Sequence, residues 1–382
     1  MRLSTPLISV ATSAFTSATN LYVSSYAGTV STLSLSEAAG AYTLTTTSVN
    51  SVPDTNPSWL TKDERSGLVY LVDEGFTGSS SVSTFSTSRA GELTLLGRSV
   101  TVSGPVSSTI YNGGKGLALA HYWKLQANGT LAHLQDFFFN LTAPGAVPER
   151  QEAPHPHQVL VDPTDSFIVV PDLGADLVRI FRIDKTTSAL TELTPFATPA
   201  GSGPRHGAFL KTAYGNTYFY LISELSNTLV SYNVTYAASS LGFEQVFVSG
   251  TYGPADVPEG AAAAEVLVSP DTKFLLTSDR NATFFDIPNP DQSNGTTIPS
   301  DTLQSWAIDD ATGTLSLVQL APAGGKYPRQ FSVNKAGTLA AVVLQKDGRV
   351  VIMQRDVATG KFGSVLASVN QLGEVSCVIW DE

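Results

Sequence analysis

The sequence predicts an all-β fold, a seven-bladed β-propeller, and three observations carry that reading. Apolar and polar residues alternate along short runs rich in β-branched and aromatic residues, with no sustained helical period. A similar unit returns about every fifty residues, opening at Pro57, Pro105, Pro156, Pro204, near Ala264, and at Pro328. The two chain ends each hold part of one further unit.

Within a unit the pattern repeats. A short run follows the opening proline, as in HQVLVD, RHGAFL, EVLVSP and RQFSVN, and ends in a turn such as Asp162-Pro163-Thr164-Asp165. A buried run comes next (FIVVPD, YFYLISE, KFLLTSD, LAAVVLQ), then a third strand (LVRIFRID, LVSYNV, RVVIMQRD) and a last one (ALTEL, TLSLVQL). Four short antiparallel strands in a unit of this length make one propeller blade. Six units are visible this way. The seventh combines LYVSSYAGTVSTLSLSE, which lacks an inner strand, with the C-terminal VSCVIWDE, which has nothing after it. Pairing of the N- and C-terminal strands closes the ring and leaves no free sheet edge. The unit around IYNGGKGLALAHY is shortened.

Composition narrows the partners. The 382 residues carry 22 Lys+Arg against 33 Asp+Glu, a net charge of −11, with no basic tract, which argues against nucleic acid and anionic membrane. No apolar run reaches membrane-spanning length. The single cysteine, Cys377, excludes an intrachain disulfide framework and a cysteine-rich zinc site. The start, MRLSTPLISVATSAFTSATN, has a basic end, a short apolar stretch and small residues at cleavage spacing. The expected organisation is therefore a signal peptide over residues 1–18 and one propeller domain over 19–382, in a secreted protein. Five Asn-x-Ser/Thr sequons, at Asn128, Asn140, Asn233, Asn281 and Asn294, make N-glycans expected partners.

In a propeller the inner strand starts, and the second strand ends, at the same rim of the central channel. Inner-strand starts supply Ser58, Trp59, His157, Arg205, His206, Glu265, Arg329 and Ser376; second-strand ends supply Tyr26, Asp73, Glu74, Asp172, Glu224, Asp279, Arg280, Gln345 and Lys346. Histidines, arginines and carboxylates from blades far apart in sequence thus converge on one funnel, as a small-molecule site requires. Asp73, Asp172 and Asp279 have a simpler reading as side chains that satisfy turn amides.

Several segments resemble the seven-bladed lactonase family, which includes 6-phosphogluconolactonases and 3-carboxy-cis,cis-muconate lactonising enzymes. They are VPERQEAPHPHQVLVDPTDSFIVVPDLGADLVRIFRID, GSGPRHGAFL with YLISELSNTLVSYNV, AAAAEVLVSPDTKFLLTSDRNAT, GGKYPRQFSVNKAGTLAAVV and VSCVIW, in order across about residues 55–382. The resemblance implies His157, Arg205, Glu224 and Arg280 as the catalytic set, with Glu152, His155, His206, Glu265 and Arg329 as the substrate-binding shell. It also implies a small-molecule lactone as substrate.

Lactone hydrolysis needs a base for water, donors for the carbonyl oxyanion and an acid for the departing ring oxygen. Glu224 and His157 are the base and acid candidates, and Arg205 with Arg280 the carbonyl-polarising pair. No metal or other cofactor is required; Asp172, Glu224 and Asp279 are the residues that would hold a metal if one were used. With a secretion signal and no lysine cluster for a phosphate, the expected substrate is a sugar 1,5-lactone of the glucono- or cellobionolactone type. The alternatives are cyclisation of carboxymuconate and a non-catalytic cell-surface binding propeller.

Overall fold

The computed structural model describes residues 18–382 except 77–78, 103, 120, 127, 238–239 and 291–292; the expected signal peptide therefore lies almost wholly outside the described residues. Seven four-stranded antiparallel sheets form, and among the described residues there is no α-helix. Contacts between strands near the channel pass from each sheet to the next and return to the first, so the sheets are blades of a closed ring. Blade 1 takes its inner strand, Val375–Trp380, from the C-terminus and its other three from Thr19–Ser25, Thr29–Ala38 and Ala41–Ser51. Leu21 pairs with Trp380 and Val23 with Val378, and Ser24 Oγ lies 2.8 Å from Ser376 Oγ. The ring closes as the sequence predicts.

Apolar side chains hold each blade to its neighbour. Val169, Val178 and Ile180 of blade 4 pack against Phe219, Leu221 and Tyr232 of blade 5. On the other side of the ring, Val343 and Ile352 of blade 7 meet Leu21 and Leu33 of blade 1. Each such fully buried chain contributes about 1.5–3 kcal/mol relative to exposure. The continuous buried runs of the middle strands are thereby explained: a blade has no solvent face at its centre.

One opening differs from the sequence reading. Blade 3 begins its inner strand at Thr109, four residues after Pro105, and its first two strands, Thr109–Tyr111 and Gly116–Ala118, have three residues each. The stretch before it lies instead along blade 2, where Ser58 Oγ donates to Val106 O (2.8 Å) and Thr61 Oγ1 to Ser108 O (2.9 Å). The turn between the two strands fixes the shortness: Gly114 has φ +79°, and a Cβ on Gly116 would lie 2.3 Å from the Tyr111 ring. Blade 6 opens at Ala262 and carries a hairpin, Phe285–Pro288 with Thr297–Ser300, before its third strand Thr302–Ile308.

The feature that makes a site is a bulge just inside the rim, repeated round the ring. Pro57 pairs with Asp73 and Trp59 with Val72, leaving Ser58 extra; Pro204 pairs with Ser223 and His206 with Ile222, leaving Arg205 extra. Arg329 and Ser376 are extra in the same way in blades 7 and 1, and Ala264 with Glu265 oppose one residue in blade 6. In blade 4, Pro156 bridges Asp172 and the ladder resumes at Leu160 with Val169, so three residues, His157 first, face two. A bulge bends its strand and re-aims a side chain that regular alternation would send between blades.

Candidate active site

Beside the bulges a loop crosses the channel mouth from residue 145 to 155. Fully buried Gln151 anchors it, donating from Nε2 to Leu173 O (2.9 Å) and accepting at Oε1 from Val147 N (3.0 Å). Asp172 fixes its far end: Oδ1 accepts from His155 N (2.7 Å), and Oδ2 from Arg179 Nε (2.8 Å). Asp73 does the same for blade 2, accepting from Asn56 N (2.7 Å) and Gly75 N (3.0 Å). Asp73 and Asp172, at second-strand ends, are turn clamps.

Under this loop is a cavity of about 380 Å³, lined among others by Tyr26, Glu74, Arg150, His155, His157 and Arg329. His157, Arg205, His206 and Arg329 continue into a narrow space below, with Ser58 and Ser376. A more apolar groove walled by Phe137, Phe138 and Phe139 adjoins the cavity and shares Val106 and His155 with it.

The nine sequence-predicted residues separate into three groups. Glu224, Arg205 and Arg280 form a buried ionic knot. Glu224 Oε2 lies 2.9 Å from Arg205 Nε, off the axis of a hydrogen bond, and 2.7 Å from Arg280 Nη2. Its Oε1 meets Arg150 Nη2 at 2.5 Å. Burial acts against ionisation of Glu224, but Arg280, Arg205 and Arg150 outweigh it and hold the carboxyl well below its ordinary range. Burial and the adjacent Arg280 press Arg205 down to about 9, which leaves it charged at neutral pH. Its Nη1 donates to Ala264 O (2.6 Å), and Arg280 donates to Ala262 O (3.2 Å) and Ala263 O (3.3 Å).

This arrangement bears on two expected roles. A carboxylate clamped by three guanidinium groups is a poor proton acceptor, so Glu224 is not a suitable base. Arg280 is absent from the cavity wall and is committed to carbonyls and Glu224, so it is not placed to polarise a carbonyl there.

The second group is a chain of hydrogen-bonded side chains. His157 Nδ1 lies 3.0 Å from His206 Nε2, and His206 Nδ1 lies 2.8 Å from Glu265 Oε1. His206 and Glu265 are 1% and 3% exposed and stand behind the main cavity rather than on its wall, away from the substrate-contacting position expected of them. Burial, then the charges of Arg205 and its neighbours, push the His157 imidazole well below its usual range; the same causes, partly opposed by Glu265, bring His206 to about 4. Both rings are neutral at physiological pH.

The third group does line the cavity. Arg329 Nη2 donates to Glu74 Oε1 (3.0 Å), which also accepts from Tyr26 OH (2.9 Å). Burial raises the Glu74 carboxyl despite the Arg329 charge. At the rim His155 Nε2 is 2.8 Å from Glu152 Oε1.

Sequence reasoning passed over Arg150 and left Glu74 and Tyr26 among generic strand ends. Arg150 sits inside the quoted ERQEAPHPHQ stretch, but nothing in its spacing says that a loop residue folds back onto blade 5. Among the described residues no group of three or more His, Cys, Asp or Glu side chains is placed to hold a metal ion. Asp172 goes to Arg179, Glu224 to its arginines and Asp279 to Thr251 Oγ1 at 2.8 Å.

The fold is a seven-bladed propeller with a cavity lined by charged side chains at the mouth of its channel. The chain belongs to the lactonase family of seven-bladed β-propellers, whose model matches residues 20–380. It is 30% identical over 368 residues to a probable 6-phosphogluconolactonase of Arthroderma benhamiae, covering 94% of this chain and 88% of that one. The 6-phosphogluconolactonase of Bacillus subtilis is 23% identical over 330 residues, 82% of this chain and 84% of its own. Among solved structures, the periplasmic gluconolactonase of Pseudomonas aeruginosa superposes with a TM-score of 0.79 at 23% identity, over 95% of this chain and 99% of that one. That last likeness is one of fold.

Proposed function

We propose that the protein is a secreted lactone hydrolase that opens uncharged sugar 1,5-lactones, with His157 as the general base. The observation that carries the reading is His157 itself: a neutral imidazole at the wall of the cavity under the 145–155 loop, with the Arg329 guanidinium on the same wall. His157 takes a proton from water as the water oxygen bonds to the lactone carbonyl carbon. Arg329 donates to the oxyanion that forms. The bond from that carbon to the ring oxygen then breaks, and the ring oxygen leaves with the proton held by His157. The product is the open-chain hydroxy acid. Charge separation between imidazolium and oxyanion is short-lived and internal to the site, so the surrounding arginines favour the oxyanion while keeping resting His157 neutral.

The relatives' names point to phosphorylated gluconolactone, whereas the charge balance of this cavity supports an uncharged substrate. Both arginines on its wall are committed, Arg150 to Glu224 and Arg329 to Glu74. Glu149 and Glu152 add negative charge to the lining, and no lysine is present there. A phosphate dianion or a carboxymuconate would enter against a lining with three carboxylates and two guanidinium groups, whereas Arg329, bonded to Glu74 through Nη2, still has N–H groups for a carbonyl oxygen, and carboxylates suit sugar hydroxyls. Secretion rests on the N-terminal sequence. The test is acid release from glucono-1,5-lactone, 6-phosphogluconolactone and carboxymuconate, each against its spontaneous rate. Expected is catalysis strongest on glucono-1,5-lactone and lost in His157→Ala; full activity in that variant removes the mechanism, and preference for either anion removes the substrate class.

A further inference from the structure

Two buried side chains that the mechanism leaves unused, His206 and Glu265, stand in line behind the base. We infer that they are positioning residues that fix the tautomer of His157, so that its Nε2 meets the substrate without a proton. This rests on His157 being the base.

Hydrogen-bond direction carries the inference. Glu265 Oε1 accepts the main-chain N–H of Val266 at 3.0 Å and lies 2.8 Å from His206 Nδ1. An oxygen already accepting a main-chain donor presents a lone pair to the ring, so the proton between them belongs to His206 Nδ1. A neutral imidazole carries one N–H, so His206 Nε2 is then an acceptor. The atom facing it, 3.0 Å away, is His157 Nδ1, which must donate. The single proton of neutral His157 is thereby used on the inner side, and Nε2 keeps its lone pair. The opposite assignment would set a bare His206 nitrogen against a carboxylate oxygen.

The rings have little freedom to escape this arrangement. His206 is 1% exposed and packs edge-on against Trp59, with centroids 5.7 Å apart. Its strand neighbour Gly207 donates to Gln158 Oε1 at 2.7 Å, tying blade 5 to the residue after His157. The three side chains come from bulges or bulge edges in blades 4, 5 and 6, so the line exists only because successive blades present the same position. It belongs to the same logic as the carboxylate that orients the histidine of a serine-protease triad, here with one imidazole interposed.

The experiment reads the tautomer directly. In full-length protein with 15N-labelled histidine, with His157 assigned through His157→Gln, wild type is expected to show a protonated Nδ1 and an unprotonated Nε2. In Glu265→Leu the acceptor of His206 Nδ1 is gone, the His206 proton is free to move to Nε2, and the His157 proton then shifts from Nδ1 to Nε2. Expected with it is a fall in kcat on glucono-1,5-lactone of about 100-fold or more, with KM within about twofold; a wrong tautomer alone costs up to about 10⁴ in the triad enzymes. Glu265→Asp, which keeps the carboxylate, is expected to retain the wild-type tautomer and recover part of the rate. A wild-type His157 protonated at Nε2 overturns the inference without any variant. So does Glu265→Leu with an unchanged tautomer, or a changed tautomer with unchanged kcat while His157→Ala is inactive. If His157→Ala is fully active, the base assignment fails instead, and the resonances still report whether the relay exists.

Discussion

Replacing Glu224 by glutamine tests whether this carboxylate is a structural anion or a base. Its side chain is 5% exposed and faces Arg205 at 1% and Arg280 at 4%, so the variant leaves two buried guanidinium groups without their counter-charge. Breaking a buried pair by removing one partner costs about 3–5 kcal/mol. Arg150, with its side chain 48% exposed, adds little because water screens it. Unfolding entropy of about 2.1 cal/mol/K per residue over 382 residues turns this into a Tm lower by roughly 4–6 °C.

The pH dependence of that loss is fixed in sign. The folded-state pKa of Glu224 is depressed, so its stabilisation is fully present above the unfolded value and disappears as pH falls through the folded one. The gap between wild type and Glu224→Gln is therefore widest at neutral pH and narrows in acid. Calorimetry at pH 7 and pH 3, beside lactone turnover at 20 °C, reads both quantities. Expected is a clear loss of Tm at pH 7 with kcat within about tenfold of wild type, since removing a base costs about 10²–10⁴. A loss of kcat in that range with unchanged stability would refute the argument and restore Glu224 as the base.

Further outcomes follow from the same geometry. His157→Ala should lower kcat by about 10²–10⁴ without shifting Tm comparably, measured by acid release above the spontaneous rate. Because burial and the nearby arginines hold His157 well below the usual imidazole range and His206 at about 4, the acid limb of the rate profile should fall well below the ordinary histidine value of about 6.5; a midpoint there would mean a solvated base. Asp279, buried with Oδ1 unpartnered among the described residues, has its carboxyl raised by burial to about 7. The folded state then holds a proton that the unfolded state releases, so wild type loses stability as pH rises between about 4 and 7. Asp279→Asn should remove that slope, of which about 3 kcal/mol falls between the two pH values of denaturant titrations at pH 5 and pH 8. In protein exported from a glycosylating host, peptide mass spectrometry should find Asn281 bare, because its Nδ2 donates to Gly260 O at 3.0 Å, while the exposed turn residues Asn128 and Asn294 carry glycans.

The seven blades, the closure by chain ends and the rim order of His157, Arg205, Glu224 and Arg280 are all legible in the sequence, because each follows from a short repeating pattern and needs only local alternation and turns. The shortened third blade is legible too, though not that its opening stretch would lie along blade 2. What the tertiary structure alone decides is which rim residues meet. Alternation says that Arg205 and His206 point to opposite sides; the bulge between Pro204 and His206 decides that Arg205 enters the channel. Arg150 reaches Glu224 across 74 residues and Arg329 reaches Glu74 across 255, through contacts between a loop and a blade or between blades. The His157–His206–Glu265 line likewise joins three successive blades. Such pairings depend on the angle and height at which neighbouring sheets pack, and those are set by side-chain volumes between blades, which no single repeat contains.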